Sequence, residues 1–144
     1  MTDTLKERRR HQQIILSRSR NPRHWGRTNP IHLHQKGENP YCGDAIEITI
    51  ALDRTKNKIE DLKFQGSGCA LCIASADLMA ETVKGKTKEE ILKTVDHFHQ
   101  VILGQAELTP TLQCLKAIEN VKRYPVKAKC VTLAWHTLKA AICK

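Results

Sequence analysis

The chain has 144 residues, 40% of them apolar and only 4% aromatic, and carries a net charge of +9. That length suits one domain, residues 1–144, around an aliphatic core. It holds no run of about 18 apolar residues to span a membrane, and its polar N-terminus lacks the apolar middle of a signal peptide. The expected setting is the cytoplasm, where six cysteines serve as ligands or nucleophiles rather than as disulfides. The positive charge admits nucleic acid or an acidic protein as partner and does not choose between them.

Residues 1–20 carry Arg8, Arg9, Arg10, Arg18 and Arg20 around Ile14, Ile15 and Leu16. Leu5 precedes that group at helical spacing, which predicts a basic amphipathic helix. It is either a docked helix with a solvated basic face or an arm for a partner. Asn21-Pro22 ends it, because the residue before proline avoids the α region. Residues 21–41 read as loop, punctuated by Pro22, Gly26, Pro30, Gly37 and Pro40. His32 and His34 have no third ligand beside them and read as loop residues rather than as a metal pair.

After Asn39-Pro40-Tyr41-Cys42-Gly43-Asp44, the apolar Ile46, Ile48, Ile50 and Leu52 alternate with Glu47 and Thr49. That is the period of a half-buried strand. Asp53 to Asn57 reads as a hairpin turn. Leu62 and Phe64 continue a second strand, with Ile59 out of phase as at a bulge. Gly66-Ser67-Gly68 then turns the chain from strand to helix, which leaves Cys69 at a helix start where the positive dipole end favours a thiolate.

The helix from Cys69 to Val83 is unusually apolar and rich in small residues, and Gly85 stops it. Thr87-Lys88-Glu89-Glu90 fits a capping box, and Ile91, Val95, Phe98 and Ile102 trace one face of the helix that follows. His97 and His99 on it do not face each other. Thr109-Pro110 starts another helical stripe through Leu112, Leu115 and Ile118, beside which Cys114 reads as a buried structural thiol. Tyr124-Pro125 breaks it, and Cys130 opens a last helix with Val131, Ala134, Trp135, Leu138 and Ile142 inward. The expected fold is α+β: a small antiparallel sheet of about three strands, covered on one face by helices, with an N-terminal helix.

Cys42, Asp44, Cys69 and Cys130 therefore stand at the starts of predicted elements, where ligands gather on a rigid scaffold. Three thiolates and one carboxylate suffice for tetrahedral zinc or for a thiolate-rich iron–sulfur shell. The hard oxygen is a weaker partner for iron–sulfur iron than a fourth thiolate. Spacing alone does not assemble a tetrad spread over residues 42–130, and unrelated buried cysteines are the alternative. Cys69-x-x-Cys72 suits a metal or a redox pair, yet one helical turn on from Cys69 the second cysteine can simply face the core.

Several blocks, in order, carry a resemblance. Asn39-Pro40-Tyr41-Cys42-Gly43-Asp44, Gly66-Ser67-Gly68-Cys69, Ile73-Ala74-Ser75-Ala76-Asp77-Leu78-Met79 and Tyr124-Pro125-Val126-Lys127-Ala128-Lys129-Cys130-Val131-Thr132-Leu133-Ala134-Trp135 resemble the signature blocks of the IscU/SufU/NifU N-terminal family. The segment from Ile14 to Gly26 resembles that family's first helix and turn. The resemblance implies an iron–sulfur cluster assembly protein that takes sulfur from a cysteine desulfurase of the SufS/IscS kind. It implies a downstream iron–sulfur carrier or apo-protein as recipient. It implies Cys42, Asp44, Cys69 and Cys130 as ligands of zinc, iron or a [2Fe–2S] cluster, with Cys42 the sulfur acceptor.

The long stretch between Cys69 and Cys130 resembles the SufU branch. So does Lys129, which stands where the IscU branch has a histidine. Cys72 and Lys127 depart from the family pattern; Cys72 is read as packing, and Lys127 replaces an arginine. Two other classes stay open: a basic nucleic-acid module, which scarce aromatics and the lack of an RNA motif argue against, and a purely structural zinc domain.

Overall fold

The computed structural model describes residues 4–41 and 43–144, with Thr111 by its backbone alone. The elements run α1 (Leu5–Arg20), β1 (Leu33–Asn39), β2 (Asp44–Leu52), β3 (Ile59–Ser67), α2 (Ala70–Val83) and α3 (Lys88–Ile102). A 3₁₀ stretch (Pro110–Leu115), the short α4 (Lys116–Glu119), a second 3₁₀ turn (Asn120–Arg123) and α5 (Pro125–Ile142) complete them. The three strands form one antiparallel sheet in the order β1-β2-β3, as the α+β reading expects.

Local chemistry sets the boundaries. The Thr4 hydroxyl accepts the Glu7 N–H at 3.1 Å and opens α1. Thr87 and Glu90 close a reciprocal capping box on α3. The Asp53 carboxylate accepts the Thr55 hydroxyl and the N–H groups of Asn57 and Lys58, which ties the β2–β3 hairpin. Pairing then skips Glu60, so that Leu52 meets Ile59 and Ala51 meets Asp61: a bulge where the apolar period slips.

Three expectations are corrected. Residues 21–41 are not all loop, because β1 runs through Leu33–Asn39. This edge strand holds only one large aliphatic, Leu33, so it shows no alternation for a reader to find. It forms because its backbone pairs with β2 and because Gly37 lets α5 come close: a Cβ there would sit 2.0 Å from the Thr137 hydroxyl. The stripe from Pro110 is a run of 3₁₀ turns around one turn of α-helix, kinked at Leu112. Finally, Pro125 begins α5 instead of merely breaking the chain, its absent N–H costing nothing at a first helical position.

The core lies between the sheet and the helices. Ile46, Ile48, Ile50, Leu62 and Phe64 meet Met79, Val83, Leu133 and Leu138 in one cluster. Helix α2 is buried almost all round, from Cys72 to Ala80. Its small residues admit α5, where the Trp135 indole donates to the Ser75 hydroxyl at 3.0 Å and that hydroxyl donates to the Val131 carbonyl at 2.6 Å. Outside this layer, α1 is anchored by Arg18, which pairs with the buried Asp77 at 2.8 Å and holds Glu81 with a second nitrogen at 3.0 Å. Asp77 also accepts the His24 N–H at 2.8 Å. The following residues run beside β3, where Phe64 exchanges backbone hydrogen bonds with His24 and Gly26 and its free edge is covered. Among the described residues no helix is long and apolar enough to cross a membrane.

Candidate metal centre

Three elements end at one place. Asp44 is the first residue of β2, Cys69 is the N-cap of α2, and Cys130 lies in the second turn of α5. One ligand atom from each lies within 4.8 Å of the others. Tetrahedral zinc with sulfur at about 2.3 Å needs thiolates about 3.8 Å apart, so the set closes on an ion with small inward shifts. Asp44 and Cys130 are buried, at 2% and 4% exposure, while Cys69 is exposed. The site is therefore seated in the protein and open on one side.

The Asp44 carboxylate is held from one oxygen only. Its Oδ1 accepts the Cys69 N–H at 3.0 Å, and Oδ2 is buried without a hydrogen-bond partner among the described residues. A buried carboxylate oxygen left unpaired is costly, and a cation is the partner its chemistry fits. Gly68 makes the arrangement possible, since a Cβ there would stand 2.5 Å from Oδ1 and 3.1 Å from Cγ. The Cys69 side chain makes no cap hydrogen bond. The positive end of α2 thus faces whatever anionic ligand gathers there. Two soft sulfurs and one hard oxygen fit zinc or iron better than calcium or magnesium.

Of the four predicted ligands, Asp44, Cys69 and Cys130 come together, and Cys42 lies outside the described residues. Cys130 does not open its helix as expected. It sits one turn further in, because α5 starts at Pro125, and its thiol donates to the Val126 carbonyl at 3.6 Å. Cys72 is fully buried in the core cluster, which agrees with packing. Cys114 is exposed, not buried: it lies in a 3₁₀ stretch rather than a regular helix, and its sulfur is 3.4 Å from the Thr82 hydroxyl. His32 accepts the Leu52 N–H at 2.8 Å and His34 lies 3.0 Å from the Glu47 carboxylate, so both serve the sheet. Glu47 titrates below its ordinary range, chiefly through the His34 hydrogen bond and then the charge of Arg27.

Two cation–π contacts near the site are not legible in the sequence, although the positive charge of both lysines is. The Lys129 ammonium lies 5.1 Å from the Tyr41 ring centre, and Lys127 lies 5.2 Å from that of Tyr124, within cation–π range. Both lysines flank the site, Lys129 next to Cys130 and Tyr41 next to Cys42. Adjacency to the cysteines was the available signal.

A three-stranded antiparallel sheet under helices, with thiols and a carboxylate converging where a strand and a helix begin, defines a small cysteine-rich metal- or sulfur-handling domain. The NifU-like N terminal domain family matches residues 10–144, and the chain belongs to that family. It is 37% identical over 130 residues to the iron–sulfur cluster assembly scaffold protein IscU of Streptococcus pyogenes serotype M1, covering 90% of this chain and 80% of that protein. It is 33% identical over 135 residues to the zinc-dependent sulfurtransferase SufU of Bacillus subtilis strain 168, covering 93% and 90%. The crystal structure of a candidate SUF-system scaffold from Fervidobacterium islandicum AW-1 superposes with a TM-score of 0.81 at 32% identity, covering 90% of this chain and 94% of that one. Family membership does not favour the nucleic-acid or purely structural readings.

Proposed function

We propose that this protein works in iron–sulfur cluster assembly, as a single cytoplasmic domain that accepts sulfur from a cysteine desulfurase. Cys42, Asp44, Cys69 and Cys130 hold the metal, and Cys42 is the accepting thiol. The observation that carries this reading is the buried Oδ2 of Asp44, which has no hydrogen-bond partner among the described residues and lies beside the Cys69 and Cys130 sulfurs. Zinc-dependent sulfurtransfer is the first of the two activities proposed, because Lys129 and not a histidine precedes Cys130. A [2Fe–2S] scaffold built on the same four residues is the second.

The chemistry is thiol–persulfide exchange. The Cys42 thiolate attacks the outer sulfur of the donor's cysteine persulfide. A bond forms from Cys42 Sγ to that sulfur, the donor's S–S bond breaks, and the donor's cysteine leaves as thiolate. Sulfur and charge balance without an outside oxidant or reductant. Cys69 and Cys130 anchor the site, the first from the N-cap of α2 and the second from within α5. Zinc, when bound, keeps its cysteine ligands as thiolates and undergoes no redox change. Lys127 and Lys129 add positive field at the mouth. The sulfur or cluster then passes to a carrier or apo-protein.

Metal and sulfide analysis of protein kept from oxygen tests the assignment. Colourless protein with one zinc supports the sulfurtransferase, and brown protein with sulfide supports the scaffold. Cys42→Ser is expected to abolish acceptance of labelled sulfur from the desulfurase; full acceptance would remove Cys42 from its role.

A further inference from the structure

Beside the site, a cleft of about 250 Å³ opens between α1, α4 with its following turn, and the start of α5. Ile15, Leu71 and Val121 form its apolar floor, and Arg8, His11 and Lys127 stand at its rim. No carboxylate lines it among the described residues. It is continuous with the metal centre along the chain. Leu71 follows Cys69 by two residues, and Lys127 lies one helical turn before Cys130, on the same side of α5.

The surroundings are unusual for a solvated surface. Tyr124 is 53% exposed, Val126 67% and Tyr41 87%, all close along the chain to the site residues. Tyr124 also lines the cleft, where its exposed ring adds contact area for a partner. The cleft is smaller than the about 300–1,000 Å³ usual for cofactor and small-molecule sites, so one large side chain suits it better than a free ligand. Its cationic rim, on a chain of net charge +9, asks for carboxylates.

We propose that this cleft docks an acidic segment of the sulfur-donating protein. The segment seats one apolar or aromatic side chain on Ile15, Leu71 and Val121 and sets its carboxylates against Arg8 and Lys127. The docked donor then lies beside Asp44, Cys69 and Cys130. This inference rests on the sulfur-accepting function above.

The test titrates the full-length, metal-loaded protein with the cysteine desulfurase of the same organism. Binding is read directly, and labelled sulfur on Cys42 is read separately. Arg8→Glu with Lys127→Glu is expected to raise Kd about tenfold and to flatten its salt dependence. Lys6→Glu with Arg9→Glu makes the same change in charge outside the cleft, and should alter Kd less than about twofold, as a rim charge away from the contact does. Asn120→Trp, at the cleft wall, should weaken binding at constant charge. Metal content and melting temperature serve as folding checks on every variant.

Equal effects of the two charge reversals, or no effect of Asn120→Trp in a folded protein, would overturn the cleft. So would a wild type that ignores the desulfurase but binds phosphatidylserine vesicles or single-stranded RNA through the same residues. A wild type that binds through the cleft and still receives no sulfur would overturn the sulfur-accepting function and leave the cleft standing.

Discussion

Asp77, inside α2, and Asp44, at the head of β2, are both buried, at 0% and 2% exposure, yet the protein treats them oppositely. Asp77 is satisfied from both oxygens: Arg18 donates to Oδ2 and the His24 backbone to Oδ1. Asp44 receives the Cys69 N–H on Oδ1 and nothing on Oδ2 among the described residues. A carboxylate that only holds the fold has both oxygens hydrogen-bonded by the fold. Asp44 instead keeps one buried oxygen unpartnered among the described residues, and the rest of the core carries that cost.

The comparison predicts different losses. Asp77→Ala leaves Arg18 buried with only Glu81 beside it and frees the His24 loop. Breaking a buried pair from one side costs about 3–5 kcal/mol, and about 3 is expected here because Glu81 remains. For a chain of this size that lowers the melting temperature by about 10 °C. Thermal and urea unfolding should show the same drop with and without metal. A companion Arg18→Met change should recover part of it, because neither charge is then stranded. A loss seen only in metal-loaded protein would mean that Asp77 belongs to the site.

Asp44→Ala should do the reverse. In metal-free protein it removes one hydrogen bond and one unsatisfied buried oxygen, effects of about 1 kcal/mol that oppose each other. Stability should therefore hardly move. Metal affinity should fall by more than the about 10–100-fold that outer-shell changes cost, measured by competition with a chelator. The rise in melting temperature on adding zinc should shrink in parallel, since that rise is binding free energy expressed as stability. An Asp44→Ala protein that loses several kcal/mol without metal would make the two aspartates alike.

Gly68→Ala probes the same contrast with a smaller change. The new methyl would stand 2.5 Å from Asp44 Oδ1, so the carboxylate must move and the Cys69 N–H loses its acceptor. Overpacking of this kind costs about 1–3 kcal/mol, and metal affinity should fall about tenfold, as when an outer-shell support is removed. Unchanged chelator competition would show that Asp44 reaches the metal without this support.

How far this contrast was legible beforehand depends on the range of the forces involved. The β2 alternation, the α3 capping box and the placing of Cys69 at a helix start are local, and the sequence shows them directly. β1 is not local: its pairing depends on β2 and on Gly37 meeting Thr137 across the molecule. The position of Cys130 within α5 is not legible, because Tyr124-Pro125 reads equally as a stop or a start. The stripe beside Cys114 reads as one regular helix, which would bury the thiol, whereas its 3₁₀ turns leave it exposed. The convergence of Asp44, Cys69 and Cys130 needs the whole fold, and only the family blocks implied it. The opposite states of Asp44 and Asp77 leave no mark in composition or spacing.

The smallest expected effect separates both aspartates from the molecule's response to mild acid. His136 on α5 meets His99 on α3 edge to face, ring centres 5.3 Å apart, and Lys139 beside it pairs with Asp96. Burial first, and then the charges of His99 and Lys139, pull the His136 pKa below 6.5. The unfolded chain then takes up this proton more readily than the folded one. The histidine's contribution to stability is therefore whole above pH 6.5 and is lost as the pH falls from there through the depressed folded value, below which it changes no further. Denaturant midpoints measured on metal-free protein should decline gently over that range, and His136→Gln should flatten the decline while Asp44→Ala leaves it in place. A slope that survives His136→Gln would have to arise from another group.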